Sequence, residues 1–353
     1  MASEAPQHDL EKVIRSLSKT IATASLMIVL LVALIFLATF VVDLPQQQLL
    51  PAPSTDGLIE VSEKLSIVEA IERSADQQLK YGYALLTQTD ELLGPNVSDA
   101  SMRYTGNALQ CTSCHLNDGA KDYGISLVSV DQRFPQYRGR EDKMGTLADR
   151  INGCFTRSMN GRALEVDQPE MRALMTYIEW LDDYLEVEAD QVKKGLKPIS
   201  LPNRTVNLEN GTRVYAAHCA VCHQPDGQGL VNADGLTYTY PPLWGPKSYN
   251  NGAGMNRVIT AAQFIKYNMP FGISHENPVL SDEEAYDVAG YMNQQKRPLR
   301  ANLEKDFPDR LKKPVSTPYG PYADEFSIEQ HQLGPYQPII AYYEEVHGIK
   351  KRN

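Results

Sequence analysis

The chain has 353 residues, a formal net charge of -10, 42% hydrophobic residues and 22% charged residues. That length accommodates about two domains with appendages, and the balance is that of an ordinary globular protein. The negative charge argues against nucleic acid as a partner, and it repels a dianionic solute unless a local basic patch receives it.

In chain order, residues 1–20 carry Lys12, Arg15 and Lys19, and Ile21 to Val42 is uncharged and almost wholly apolar. As a helix that run would extend ~33 Å, the thickness of a bilayer core. No Lys or Arg follows until Lys64. The positive-inside rule therefore places residues 1–20 in the cytoplasm and the bulk of the chain outside. A cleaved signal peptide is the competing reading, but the run is longer than an ordinary h-region and no A-x-A site follows it. The expectation is a single-pass anchor over 21–42, then a polar, Pro-containing stalk over 43–59.

A first soluble domain is expected over 60–187. Ile67 to Leu93 has helical spacing of its apolar residues, and it leads to Cys111-Thr112-Ser113-Cys114-His115. The same pattern returns as Cys219-Ala220-Val221-Cys222-His223. C-x-x-C-H is the attachment signature of a c-type haem. Two thiols add across the vinyl groups, and the adjacent imidazole becomes the proximal iron ligand. A redox dithiol has no need of the following His, and a zinc site built from two C-x-x-C units does not usually place a His against each. Two covalently bound haem c groups are expected, on Cys111 and Cys114 and on Cys219 and Cys222, with His115 and His223 on the metals. Such attachment takes place on the outer side of the bacterial inner membrane, which places the soluble domains in the periplasm.

Further helices are expected near Thr146 to Met159 and over about Gln168 to Val187, the latter opened by Pro169 and Glu170. Cys154 is the one cysteine outside the haem motifs. It and Met159 are the candidate distal ligands of the first haem; a thiolate would lower the potential and a thioether would raise it.

Residues 188–206 read as a linker with Pro198 and Pro202, and 207–296 as a second domain of the same plan. An entering helix, Leu208 to His218, runs into the second motif. Pro241-Pro242-Leu243-Trp244 is a rigid apolar loop, Thr260 to Asn268 a short helix, and Ser281-Asp282-Glu283-Glu284 a capping box for a closing helix. Met269, followed by Pro270, is the expected distal ligand of the second haem, with Met255 and Lys266 as reserves. Residues 297–353, rich in Pro and Tyr, read as an irregular tail laid over the domains. The fold class expected is all-α: one transmembrane helix plus two class I cytochrome c domains in tandem.

Arg133-Phe134-Pro135-Gln136-Tyr137-Arg138 and the run Arg150 to Gly161, which holds Cys154 and Met159, resemble the first domain of dihaem thiosulfate dehydrogenases. That family joins two thiosulfates into tetrathionate. The resemblance implies a His/Cys ligand pair on the active-site haem, here His115 and Cys154. The local charge is consistent with it: Arg133, Arg138, Arg140, Lys143, Arg150, Arg157 and Arg162 face only Glu141, Asp142 and Asp149 in the same stretch. Guanidinium groups give paired hydrogen bonds to oxyanions, which makes Cys154, Arg133, Arg138 and Arg157 the candidate catalytic set. In some members of the family a lysine directly precedes the distal methionine; here that residue is Asn268. The competing function is a relay without a substrate of its own, tethered to a membrane respiratory complex or serving a partner cytochrome.

Overall fold

The computed structural model describes residues 15–19, 23, 25–32, 65–185 and 193–351. The chain divides into two units, Met1–Glu63 and Lys64–Asn353. In the first, the described residues are helical and exposed. Most of the expected anchor and all of the expected stalk lie outside the described residues. Among the described residues no helix is long and apolar enough to cross a membrane.

The second unit is mostly helical. Ile67–Arg73 (α1), Gln77–Thr87 (α2) and Thr89–Leu92 (α3) replace the single helix expected over Ile67 to Leu93. The break has a local cause. Asp76 takes the amides of Gln78 and Leu79 on its carboxylate and so starts a new helix, while Ser74 ends the old one in extended conformation. Side chains of this type compete with the helix for backbone groups. A short antiparallel hairpin, Gln136–Arg138 (β1) with Lys143–Gly145 (β2), precedes Leu147–Phe155 (α4). Thr146 and Asp149 form the capping box of α4. Pro169–Leu185 (α5) closes the first domain by crossing α2. The crossing requires Gly82: a Cβ there would lie 2.0 Å from the carbonyl oxygen of Ala173.

The second domain repeats the device. Leu208–His218 (α6) is followed by the one-turn Ala220–His223 (α7) and a hairpin of Leu230–Val231 (β3) and Tyr238–Tyr240 (β4). Val258–Asn268 (α8) and Asp282–Asn293 (α9) complete it. Gly211 of α6 meets α9, where a Cβ would fall 2.3 Å from the Asp287 carbonyl oxygen.

The C-terminal segment departs from the irregular tail expected of it. It carries two helices, Ile328–Leu333 (α10) and Gln337–His347 (α11). Val315, Tyr336, Ile339 and Tyr343 enter the core of the second domain beside Val214, Ile259 and Tyr286. Fully burying an aliphatic or aromatic side chain contributes about 1.5–3 kcal/mol, so this segment is part of the domain's stability. Buried polar groups hold its turns: His331 bonds Asp324 and the Val315 carbonyl, and Lys313 donates to the carbonyls of Tyr319 and Pro321.

Candidate redox and anion site

Both C-x-x-C-H motifs fold as single helical turns, with the histidine amide returning to the carbonyl of the first cysteine. Each imidazole is then fixed through one nitrogen. His115 Nδ1 lies 2.6 Å from the carbonyl oxygen of Ile125, and His223 Nδ1 lies 2.8 Å from that of Pro241. With Nδ1 donating, Nε2 keeps its lone pair for a metal, the usual outer-shell arrangement for a ligating histidine.

A cavity of about 620 Å³ runs between the motifs, lined by Leu109, Cys114, Cys222, His223, Leu243 and Met269 among others. Its size is that of a cofactor pocket. Burial pushes the Cys111 thiol up to about 11 and the thiols of Cys114 and Cys219 to about 12. Two thiol pairs, each followed by an imidazole anchored through Nδ1, beside a cavity of this size, fit two covalently attached haem c groups. Among the described residues no cluster of three His, Cys, Asp or Glu converges on a bare metal ion.

Cys154 behaves differently. It sits near the end of α4, and Arg150, one turn earlier on the same helix, places Nη1 2.9 Å from its sulfur. Burial pushes this thiol up, but the guanidinium of Arg150 beside it outweighs that and brings it down, to about 6. His115 and Cys154 are brought together, from the loop after α3 and from α4. Met159 is placed elsewhere. Its side chain is 4% exposed and packs with Leu109, Tyr249 and Ala253 in the apolar seam between the two domains.

In the second domain, Met269 leaves the end of α8 with its amide bonded to the Ile265 carbonyl, and it lines the cavity together with Met255. Lys266 is turned away, donating to the Leu280 carbonyl and pairing with Asp282 at 3.3 Å.

The basic residues divide into two groups. Arg138 pairs with Glu141 at 3.0 Å, and its Nη2 lies 3.3 Å from the position of a Cβ on Gly153, the residue before Cys154. Arg133 is exposed and donates to the Ser129 carbonyl; burial of its inner part and the neighbouring Arg150 hold its pKa below the usual value. Arg157, expected among the anion-binding residues, is committed to another task. Its two terminal nitrogens grip both oxygens of Asp306 at 2.8 and 2.7 Å, and one also reaches the Gly252 carbonyl. It ties the first domain to the C-terminal segment.

Three contributors were not singled out from the sequence. Arg150 was readable, since it stands four residues before Cys154 in a helix and so shares its face. Arg140 donates to the Gly252 carbonyl at 3.1 Å and lies 5.5 Å from the Phe307 ring. Arg257, at the start of α8, is depressed to about 10 by burial and by Arg140. Their convergence depends on chain segments far apart in sequence, which no local pattern records. Clustered, partly desolvated guanidinium groups disfavour one another's charge, a condition that a bound anion relieves.

The family profile described as "SoxA/TsdA, cytochrome c domain" matches residues 103–182, and that described as "Cytochrome c" matches residues 208–296. A thiosulfate dehydrogenase of Psychrobacter arcticus is 41% identical over 206 residues, covering 58% of this chain and 61% of that protein. One from Allochromatium vinosum is 44% identical over 200 residues, covering 56% of this chain and 72% of that protein. One from Stutzerimonas stutzeri is 38% identical over 221 residues, covering 63% and 70%. The solved thiosulfate dehydrogenase (TsdBA) of Marichromatium purpuratum, in its as-isolated form, superposes with a TM-score of 0.57 at 34% identity. That match covers 64% of this chain and 47% of the solved chain. The chain thus spans less than two thirds of the Psychrobacter relative and about half of the solved one. With two attachment motifs, two helical cytochrome c domains and this level of identity, the chain belongs to the thiosulfate dehydrogenase family of dihaem c-type cytochromes.

Proposed function

We propose that the protein oxidises thiosulfate to tetrathionate at the first haem site and passes the electrons out through the second. The observation that carries this reading is the line of Arg150, Cys154 and His115, in which a thiol held toward its anionic form faces the proximal imidazole. His115 and Cys154 would hold the haem c of the first site, and His223 and Met269 that of the second. Two thiosulfate dianions join through one new S–S bond, releasing two electrons and no proton. Each haem c, when bound, accepts one electron, so the pair matches the stoichiometry.

The protein's own residues do the rest. Arg150 holds the Cys154 sulfur by a charge-assisted bond. Arg133 and Arg138 from the first domain, with Arg140 and with Arg257 from the second, supply positive charge that offsets the chain's net negative charge and the repulsion between two dianions. The apolar seam of Leu109, Met159, Tyr249 and Ala253 keeps the two sites against each other. A partner cytochrome or membrane respiratory complex would take the electrons. The uncharged run Ile21 to Val42 supports a membrane anchor with the haem domains in the bacterial periplasm.

The test is anaerobic addition of thiosulfate to the oxidised dihaem protein. Reduction of the Soret and α bands, with one tetrathionate formed per two electrons, is the expected result. A protein reduced by dithionite but inert to thiosulfate at every pH would instead be the relay that the apolar N-terminal run also fits. Cys154→Met is the companion: an unchanged low-spin spectrum and potential of the first haem would remove Cys154 as its ligand.

A further inference from the structure

The residue before Met269 makes an unusual contact. Asn268 is wholly buried, and its side-chain amide donates across the domain boundary to the carbonyl oxygen of Tyr123 at 3.0 Å. Its own Oδ1 has no partner among the described residues. Burying an unsatisfied acceptor is costly, so an asparagine at this position needs the cross-domain bond of its amide to offset that cost.

The loop it grips is the one that orients His115. Tyr123 and Ile125 both have left-handed backbone, at φ of 53° and 54°. Non-glycine residues hold that conformation only where their surroundings impose it. The carbonyl of that same Ile125 accepts from His115 Nδ1 at 2.6 Å.

The chain just past Met269 is fastened to the same loop. Lys121 Nζ donates to the Ile273 carbonyl at 3.0 Å, and the Tyr123 ring stands edge-on to His275 at 5.0 Å. Lys197 adds a bond to the His275 carbonyl. Met269 is therefore bracketed on both sides by contacts to the segment that sets the proximal ligand of the other haem.

We propose that Asn268 is a positioning residue that couples the two haem sites, holding the segment that carries Met269 against the loop that orients His115. The inference rests on reading His115 and Met269 as axial ligands. Outer-shell bonds tune a ligating imidazole, and a contiguous set of contacts is what carries such coupling. Releasing the bond lets Met269 withdraw, which lowers the potential of the second haem, since a thioether ligand raises it. Release also slackens the acceptor at His115, making the imidazole less basic and raising the potential of the first haem. The two potentials converge.

The experiment is a potentiometric titration of the full-length dihaem protein and its Asn268→Ala variant, with each haem followed by its own absorbance and electron paramagnetic resonance signals. The expected result is a weakened methionine-to-iron band with a lower second potential, together with a higher first potential. A shift approaching tenfold in the oxidised-to-reduced ratio of the first haem, about 59 mV for one electron, is the size sought. A first haem unchanged within twofold, whatever happens at the second, overturns the proposal, because a purely local seat for Met269 would leave it unmoved. If the variant fails to take up both haems, Lys121→Ala cuts the neighbouring bond from a more accessible side chain. It is expected to move both potentials in the same senses by less, and an unmoved first haem there overturns the proposal too. Absence of the methionine band from the parent protein would remove the ligand reading itself, and with it the inference.

Discussion

Asp306→Ala isolates what Arg157 does. The pair is bidentate, with side-chain exposures of 8% and 11%, and Asp306 also accepts from the Tyr319 hydroxyl at 2.6 Å. Removing the carboxylate leaves a buried guanidinium whose one remaining hydrogen-bond partner among the described residues is the Gly252 carbonyl. Breaking a buried pair by deleting one partner typically costs about 3–5 kcal/mol, most of it the penalty of the orphaned charge. For a unit of this size each kcal/mol moves the melting temperature by about 2–4 °C, so the variant should melt roughly 10 °C lower. The assay is thermal unfolding of the dihaem protein by circular dichroism. Arg157→Met combined with Asp306→Leu should recover part of the loss, because no charge is then stranded. A fall of less than about 2 °C on Asp306→Ala would refute the argument. So would an Arg157→Gln variant of unchanged melting temperature whose thiosulfate KM rises tenfold, since Arg157 would then be an anion-binding residue after all.

Three further outcomes are expected. Arg150→Gln removes the charged donor to the Cys154 sulfur; the optical and magnetic signals of the first haem should shift and thiosulfate oxidation should fall by at least about tenfold, whereas unchanged signals would detach Arg150 from the site. Gly82→Ala forces α2 off α5 and should destabilise the first domain by about 1–3 kcal/mol or more, read from its denaturant midpoint; a neutral effect would contradict the close crossing. Asp182 is held well above the usual carboxylate range, at about 7, by burial and by a side-chain hydrogen bond with Asp131. The folded state therefore keeps this proton when the unfolded chain has lost it, so stability falls as pH rises from about 4 to about 7 and is level above that. Asp182→Asn should flatten that slope in melting curves at pH 5, 6, 7 and 8, and an unaltered slope would count against the assignment.

Neighbouring residues carried most of what was legible before folding. The two haem attachment motifs are contiguous, so vinyl span, thiol pair and proximal imidazole are all specified within five positions. The caps at Thr146 and Ser281 are equally local, because a side chain reaches amides only two or three residues away. Cys154 was visible as the cysteine left over from two motifs. Where Met159 packs was not legible: it is drawn into the seam with Tyr249 and Ala253, and these come from the other domain. Arg157 looked like any other arginine of a basic stretch until Asp306, 149 residues later, was brought against it. The Pro- and Tyr-rich C-terminal segment has little periodicity of its own, and its helices are stabilised by burial against α6, α8 and α9. Asn268 shows the limit most clearly. In the sequence it is only the residue before a methionine, and its bond to Tyr123 exists because two domains, each folded by its own short-range signals, share one wall. Short-range chemistry therefore settled the cofactor and the helices, whereas the partners of buried charges and amides, which must be matched across the whole chain to offset their desolvation, were decided by the tertiary structure.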